Sequence, residues 1–146
     1  MRSFSYALED SMAHKYTQAE DWAQIAHGVI ESVPELQSLK DAEIGYLAAD
    51  YSKKHDGMTV YAECIKVKDL YKPYCPHDIL IVAYRDAEQM DEKQKRILIE
   101  HELMHIDVQG LDTDAPVYKI RPHDMQDFRR IIEKYGPGWA DTRADE

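Results

Sequence analysis

Two histidines four residues apart, with a carboxylate beside the first, stand in the run His101-Glu102-Leu103-Met104-His105. On a helix, positions i and i+4 lie about 40° apart around the axis, so both imidazoles can reach one metal ion. Neutral imidazole nitrogen is a good ligand for Zn²⁺, and a catalytic zinc takes three protein ligands so that the fourth tetrahedral position stays open for water. The ion lowers the pKa of that water to roughly 7, and a nearby carboxylate can take the proton and later hand it to a leaving amine. Glu102 has the type and the place of such a general base. The motif therefore points to Zn²⁺-dependent hydrolysis of peptide bonds.

Taken as a helix, the segment 93–108 leaves one charged stripe of Lys93, Arg96, Glu100 and Asp107. Ile97, Leu98, Ile99, Leu103, Met104, Ile106 and Val108 cover most of the remaining circumference, which predicts a helix packed on more than one side and stopped by Gly110. His101 and His105 fall inside that apolar surround and Glu102 at its edge. Enclosed polar groups need partners, and a shared metal ion would satisfy them.

The third ligand must come from beyond this helix. Pro122 suits the first turn of a helix, and Met125, Phe128, Ile132 and Tyr135 give the next segment an apolar face, so His123 is expected near that helix's start. His123 is the preferred third ligand. Asp112, Asp114 and Asp124 compete, because zinc also accepts carboxylate oxygen. Glu100 and Asp107 project from the charged stripe, away from the histidines. His14, His27 and His55 read as surface or interface residues, and His77 stands beside an apolar run. Tyr118, Arg121, His77 and Tyr84 are open alternatives for the donor that a developing oxyanion needs besides the metal.

The combination of Ile99-Glu100-His101-Glu102-Leu103-Met104-His105-Ile106 with Tyr118-Lys119-Ile120-Arg121-Pro122-His123-Asp124 and Asp127-Phe128 resembles the phage metallopeptidase family of small zincin-like domains. Ile44-Gly45-Tyr46-Leu47 and Asp78-Ile79-Leu80-Ile81 are similar to it as well, so the resemblance covers roughly residues 17–136. The zinc motif is generic, whereas Arg121-Pro122-His123-Asp124 is more specific. The resemblance implies a zinc-dependent peptidase without naming a substrate. A weaker likeness is to SprT-like proteases, which share the motif, a distant histidine and a following aromatic.

The elements that must position these residues are legible in part. Thr17-Gln18-Ala19-Glu20 reads as a capping box, followed by Trp22, Ile25, Ala26, Val29 and Val33 at helical spacing up to Pro34. Strands are expected over 44–50 and 58–67, joined as a hairpin by a polar turn over 51–57. The near-continuous apolar run 78–84 reads as a buried strand, and 86–91 as a short loop into the motif helix. Together these predict an α+β, zincin-like domain, a small mixed β-sheet packed against an active-site helix that carries the motif. Substrate backbone is expected to lie extended along an edge strand. The division is an N-terminal arm or extra helix at 1–16, the zincin-like domain at 17–136, and a tail at 137–146 whose last six residues are expected to fray.

At 146 residues, 44% hydrophobic and 32% charged, the chain is long enough for one core and too short for two ordinary domains. No stretch approaches the roughly 18 apolar residues that cross a bilayer, and the start lacks an apolar signal-peptide core, so no membrane partner and a cytoplasmic address are expected. A net charge of −10 argues against a nucleic-acid surface and leaves a protein or peptide, with basic segments favoured, as the expected substrate. Cys64 and Cys75 are read as reduced and structural, since they form no close pair of the metal-knuckle type. The alternatives to a peptidase are a noncatalytic zinc-binding domain and a regulatory interaction domain with an incidental motif.

Overall fold

The computed structural model describes residues 13–140, so the expectations for 1–12 and 141–146 lie outside the described residues. In chain order the elements are β1 (Tyr16–Gln18), α1 (Glu20–Ser32), a 3-10 segment (Pro34–Leu39), β2 (Ile44–Ala49), β3 (Lys53–His55), β4 (Met58–Val60), β5 (Ala62–Lys66), a second 3-10 turn (Asp69–Tyr71), β6 (Ile79–Ala83), a third (Arg85–Gln89), α2 (Glu92–Met104), β7 (Ile106–Gln109), β8 (Val117–Ile120) and α3 (Arg129–Tyr135). The class is mixed α+β, as expected. Among the described residues no helix is long and apolar enough to cross a membrane.

The apolar run Ile79-Leu80-Ile81-Val82-Ala83 becomes the inner strand of a four-stranded sheet ordered β1-β2-β6-β5. It pairs parallel with β2 and antiparallel with β5. This corrects the expected hairpin between the 44–50 and 58–67 strands. A strand with Ile79, Ile81, Val82 and Ala83 all buried needs cover on both faces and partners on both edges, so it inserts between the other two. The local hairpin is β3–β4 instead, turned by Asp56 and Gly57 at φ 51° and 77°. Two successive positive-φ residues are what a tight two-residue hairpin turn requires, and Asp-Gly supplies them.

The capping box at Thr17 also gives way. Thr17 and Gln18 are in β1, opposite Ala48 and Leu47, and the Ala19 amide continues the pairing by donating to Tyr46 O at 2.9 Å. The start of α1 has no side-chain cap. Backbone pairing to the sheet takes the residues a cap would have used. α1 then buries Trp22, Ala26, Val29 and Ile30 against the sheet and α2, and ends at Ser32 ahead of Pro34.

α2 starts on a complete capping box. The Asp91 side chain accepts from the Gln94 amide and the Gln94 side chain accepts from the Asp91 amide. The helix stops at Met104, not at Val108. Ile106 and Val108 alternate in β7, which pairs with β8, and Gly110 at φ 68° belongs to the β7–β8 turn. A two-residue spacing of β-branched residues satisfies a strand as well as a helix face, and pairing with Tyr118 and Ile120 decides for the strand. α2 is also packed on one side, with Ile99 and Leu103 fully buried while Ile97 is 58% exposed. The expected helix from Pro122 is absent: α3 begins at Arg129, and its residues include no buried one.

Candidate metal centre

Helix α2 inserts Ile99 and Leu103 into the core and so presents its opposite side at the last turn to solvent. His101 lies there with about half its side chain exposed, while Glu102 is 3% exposed and points inward. This reverses the expected burial order, in which the histidines were enclosed and the glutamate stood at the edge. The wheel counted Ile97 and Met104 as packed, but both face solvent, so the true buried side is rotated toward Glu102.

His105 is the C-terminal cap of α2, where its amide donates to Glu102 O and Leu103 O. The chain then turns through β7 and β8 and returns along the end of the helix. The Arg121 amide donates to His105 O at 2.6 Å, and His105 Nδ1 lies 2.7 Å from Arg121 O. A carbonyl oxygen only accepts, so Nδ1 carries the proton and the Nε2 lone pair is left free. The Arg121 guanidinium donates from Nε and Nη2 to Met104 O, at 2.9 and 2.7 Å. These four bonds clamp β8 to the end of α2 and set down the next residues, Pro122 and His123, above it.

Residues 101, 105 and 123 therefore meet. His123 Nε2 is 3.0 Å from His101 Nε2, and the three ring centroids are 5.1, 4.9 and 4.6 Å apart, close to an equilateral triangle. One ligand atom from each ring lies within 4.8 Å of the other two, so the trio could hold a metal ion. Burial, then the neighbouring His105 and His123 rings, lower the pKa of His101 and favour its neutral, ligating form. Glu102 Oε2 is 3.9 Å from His101 Nε2. Burial, with Glu63 adding to it, pushes the Glu102 carboxyl up to about 8. A carboxylate this enclosed is costly without a cation near it.

His123 thus joins the cluster from an extended segment after β8, not from a helix start as expected. Among the described residues no carboxylate joins the histidine group. Asp112 and Asp114 are exposed in the β7–β8 turn, and Asp124 only lines the ≈ 330 Å³ cavity beside the histidines. Of the residues considered as oxyanion donors, Arg121 lines that cavity with its guanidinium engaged on Met104. Tyr118 is buried beside Lys66 and Asp78, Tyr84 lies against Tyr51 in a second small core, and His77 packs at Gly45. The sequence reading missed the clamp made by Arg121, whose backbone role leaves no spacing signal. It also missed the groove beside Glu102, because Ile97, one turn before His101, was counted with the packed side of the helix. Cys64 and Cys75 are both free thiols, and burial pushes the Cys64 thiol up to about 12.

The fold and site define an α+β domain with a three-histidine cluster suited to a metal ion, fed by the last turn of one helix and a returning hairpin. The family model described as Putative phage metallopeptidase matches residues 14–145, and the chain belongs to that family. Membership in a metallopeptidase family implies a metal, and the histidine trio is where this chain could hold one. No curated protein and no solved structure matches the chain.

Proposed function

We propose that the protein is a zinc-dependent, zincin-like peptidase, with His101, His105 and His123 as metal ligands and Glu102 as general base. The observation that carries the reading is the meeting of three neutral-capable imidazoles beside a buried carboxylate, in a family of metallopeptidases. The donor set fits the ion: three imidazole nitrogens suit zinc and leave a coordination position open. His105 has its second nitrogen held by a backbone carbonyl, the kind of outer contact that fixes a ligating ring. When bound, the ion would polarise a peptide carbonyl and make a water acidic enough to be deprotonated near neutral pH.

The chain's own residues do the rest. Glu102 accepts the proton of the attacking water and returns it to the leaving amine nitrogen. Burial raises the proton affinity of the Glu102 carboxyl, and a cation held by the adjacent histidines would favour the ionised form that acts as the base. Substrate backbone lies along the outer edge of β5, which pairs with no further strand among the described residues. In the β5–β6 pairing the Tyr84 amide donates to Tyr61 O and the Val67 amide to Asp78 O, so the odd-numbered residues face β6. The backbone groups of Ala62 and Cys64 then point to the open edge, ready to pair with an extended peptide. The substrate is a protein or peptide; the excess of acidic residues disfavours nucleic acid and favours basic segments.

Elemental mass spectrometry of the purified protein tests the ligand set. About one zinc per chain is expected, lost in His101→Ala and weakened in His123→Ala. Glu102→Gln should retain the zinc and lower peptide hydrolysis by roughly 10²-fold or more. Absence of metal after zinc is supplied, or an unchanged rate in Glu102→Gln, would refute the reading.

A further inference from the structure

We propose that the groove running from the histidine cluster along α2 is the specificity pocket of this site, and that it takes one large uncharged apolar side chain flanking the scissile bond. Leucine, isoleucine, methionine and phenylalanine are the side chains meant. The inference rests on the peptidase reading above and adds the substrate class to it.

The groove has a volume of ≈ 490 Å³, inside the roughly 300–1,000 Å³ range of sites that bury a ligand. One wall is α2. Gln94, Ile97, Leu98 and His101 are spaced i, i+3, i+4 and i+7, which places them on a single stripe leading into the site. The facing wall is Val60, Tyr61 and Ala62, and Glu102 and His123 complete the end at the cluster.

Ile97 is the telling residue. The core is filled by Ile99 and Leu103, yet Ile97 stays 58% exposed on a helix whose other outward positions include Lys93, Arg96 and Glu100. Folding alone gives no reason for an aliphatic side chain there. A substrate side chain laid between Ile97 and Val60 would remove that surface from water.

Charge narrows the occupant further. The acidic and basic residues lining the groove, Glu102, His101 and His123, all stand at its cluster end, and none lies between Ile97 and Val60. Between Ile97, Leu98 and Val60 a charged substrate side chain of either sign would lose water with no opposite charge beside it, a cost that an apolar one does not meet. The groove is also continuous with the open edge at Ala62. A peptide paired there presents alternate side chains to the same side, so backbone pairing and pocket filling act together.

The test reads binding as well as cleavage. Zinc-loaded protein is given a degenerate peptide mixture, and cut sites are mapped by mass spectrometry. In parallel, zinc-loaded Glu102→Gln protein is titrated by ¹⁵N NMR with two matched hexapeptides that carry Leu or Asp at the central position. We expect cut sites flanked by large apolar residues, and about tenfold or more tighter binding of the Leu peptide, with shifts at the Ala62 and Ile97 amides. Ile97→Asp should keep its zinc, bind the Leu peptide about tenfold more weakly and move the preference toward Lys or Arg. Leu70→Ser, at a leucine that is 77% exposed outside the groove, should change neither. Equal binding of the two peptides, or shifts confined to other surfaces, would overturn the inference whether or not peptides are cut. Groove binding of the Leu peptide without any cleavage by the native protein would instead leave the pocket standing and refute the peptidase reading.

Discussion

The two halves that build the histidine cluster are held by different forces. His101 and Glu102 ride on α2, whose Ile99 and Leu103 are fully buried with Trp22, Val29, Ile79 and Ile81 of α1 and the sheet. His123 rides on the C-terminal region, where Val117, Ile120, Met125, Phe128, Tyr135 and Trp139 are all exposed by 40% or more. Beyond Tyr118, whose ring joins the core, that second region is fixed to the first by a few directed hydrogen bonds, those of Arg121 and His105 above all. The difference teaches that one metal centre can draw part of its geometry from packing, which is non-directional and strong, and part from polar clamps, which are weak singly but set orientation.

The comparison breaks first in the core. Leu103→Ala removes a fully buried side chain next to Glu102 and should destabilise the protein by about 2–5 kcal/mol, read by urea denaturation. A loss under about 1 kcal/mol would mean that α2 is not anchored as the packing indicates.

Arg121 should show the opposite profile. Arg121→Met leaves Met104 O without its two side-chain donors but keeps the backbone bonds between Arg121 and His105. Metal affinity is expected to fall about 10–100-fold, measured by chelator competition, with a stability change of only about 1 kcal/mol. Arg121 is a positioning residue, so the absorption spectrum of the cobalt-substituted protein should also change, and Arg121→Lys should restore part of the affinity. Equal losses of affinity and stability would make the arginine merely structural.

How much of this was readable in advance follows the same division. The spacing of His101, Glu102 and His105 was legible because α2 carries all three up to its cap. His123 was legible as a residue type after a plausible break, yet its expected support, a helix from Pro122, was wrong. Met125, Phe128, Ile132 and Tyr135 do repeat at helical spacing, but periodicity argues for a helix only where an apolar face has something to pack on. Ile106 and Val108 were assigned to the helix because short apolar runs fit both periods, and the partner strand that decides between them is ten residues or more away in sequence. Asp91 with Gln94, and Asp56 with Gly57, are local signals of a helix start and a tight hairpin turn that the sequence reading did not use, since it took 86–91 as a loop and 51–57 as a longer turn. The inner position of β6, by contrast, depends on non-local pairing on both edges, which no local pattern encodes.

The smallest effect is the sharpest check on the exposed half. Phe128 is 79% exposed, so Phe128→Ser removes little buried apolar area and should alter stability by no more than about 0.5 kcal/mol, with zinc content unchanged. The segment keeps its own local tie, since Trp139 Nε1 donates to Asp127 Oδ2 at 2.7 Å and Asp127 Oδ1 accepts from the Phe128 amide. That tie uses the backbone of residue 128, not its ring, so serine there preserves it. A loss above about 1 kcal/mol in denaturation of the isolated protein would show that the ring is covered in solution. The C-terminal region would then owe its position to packing after all, and the distinction between the two halves of the site would fall.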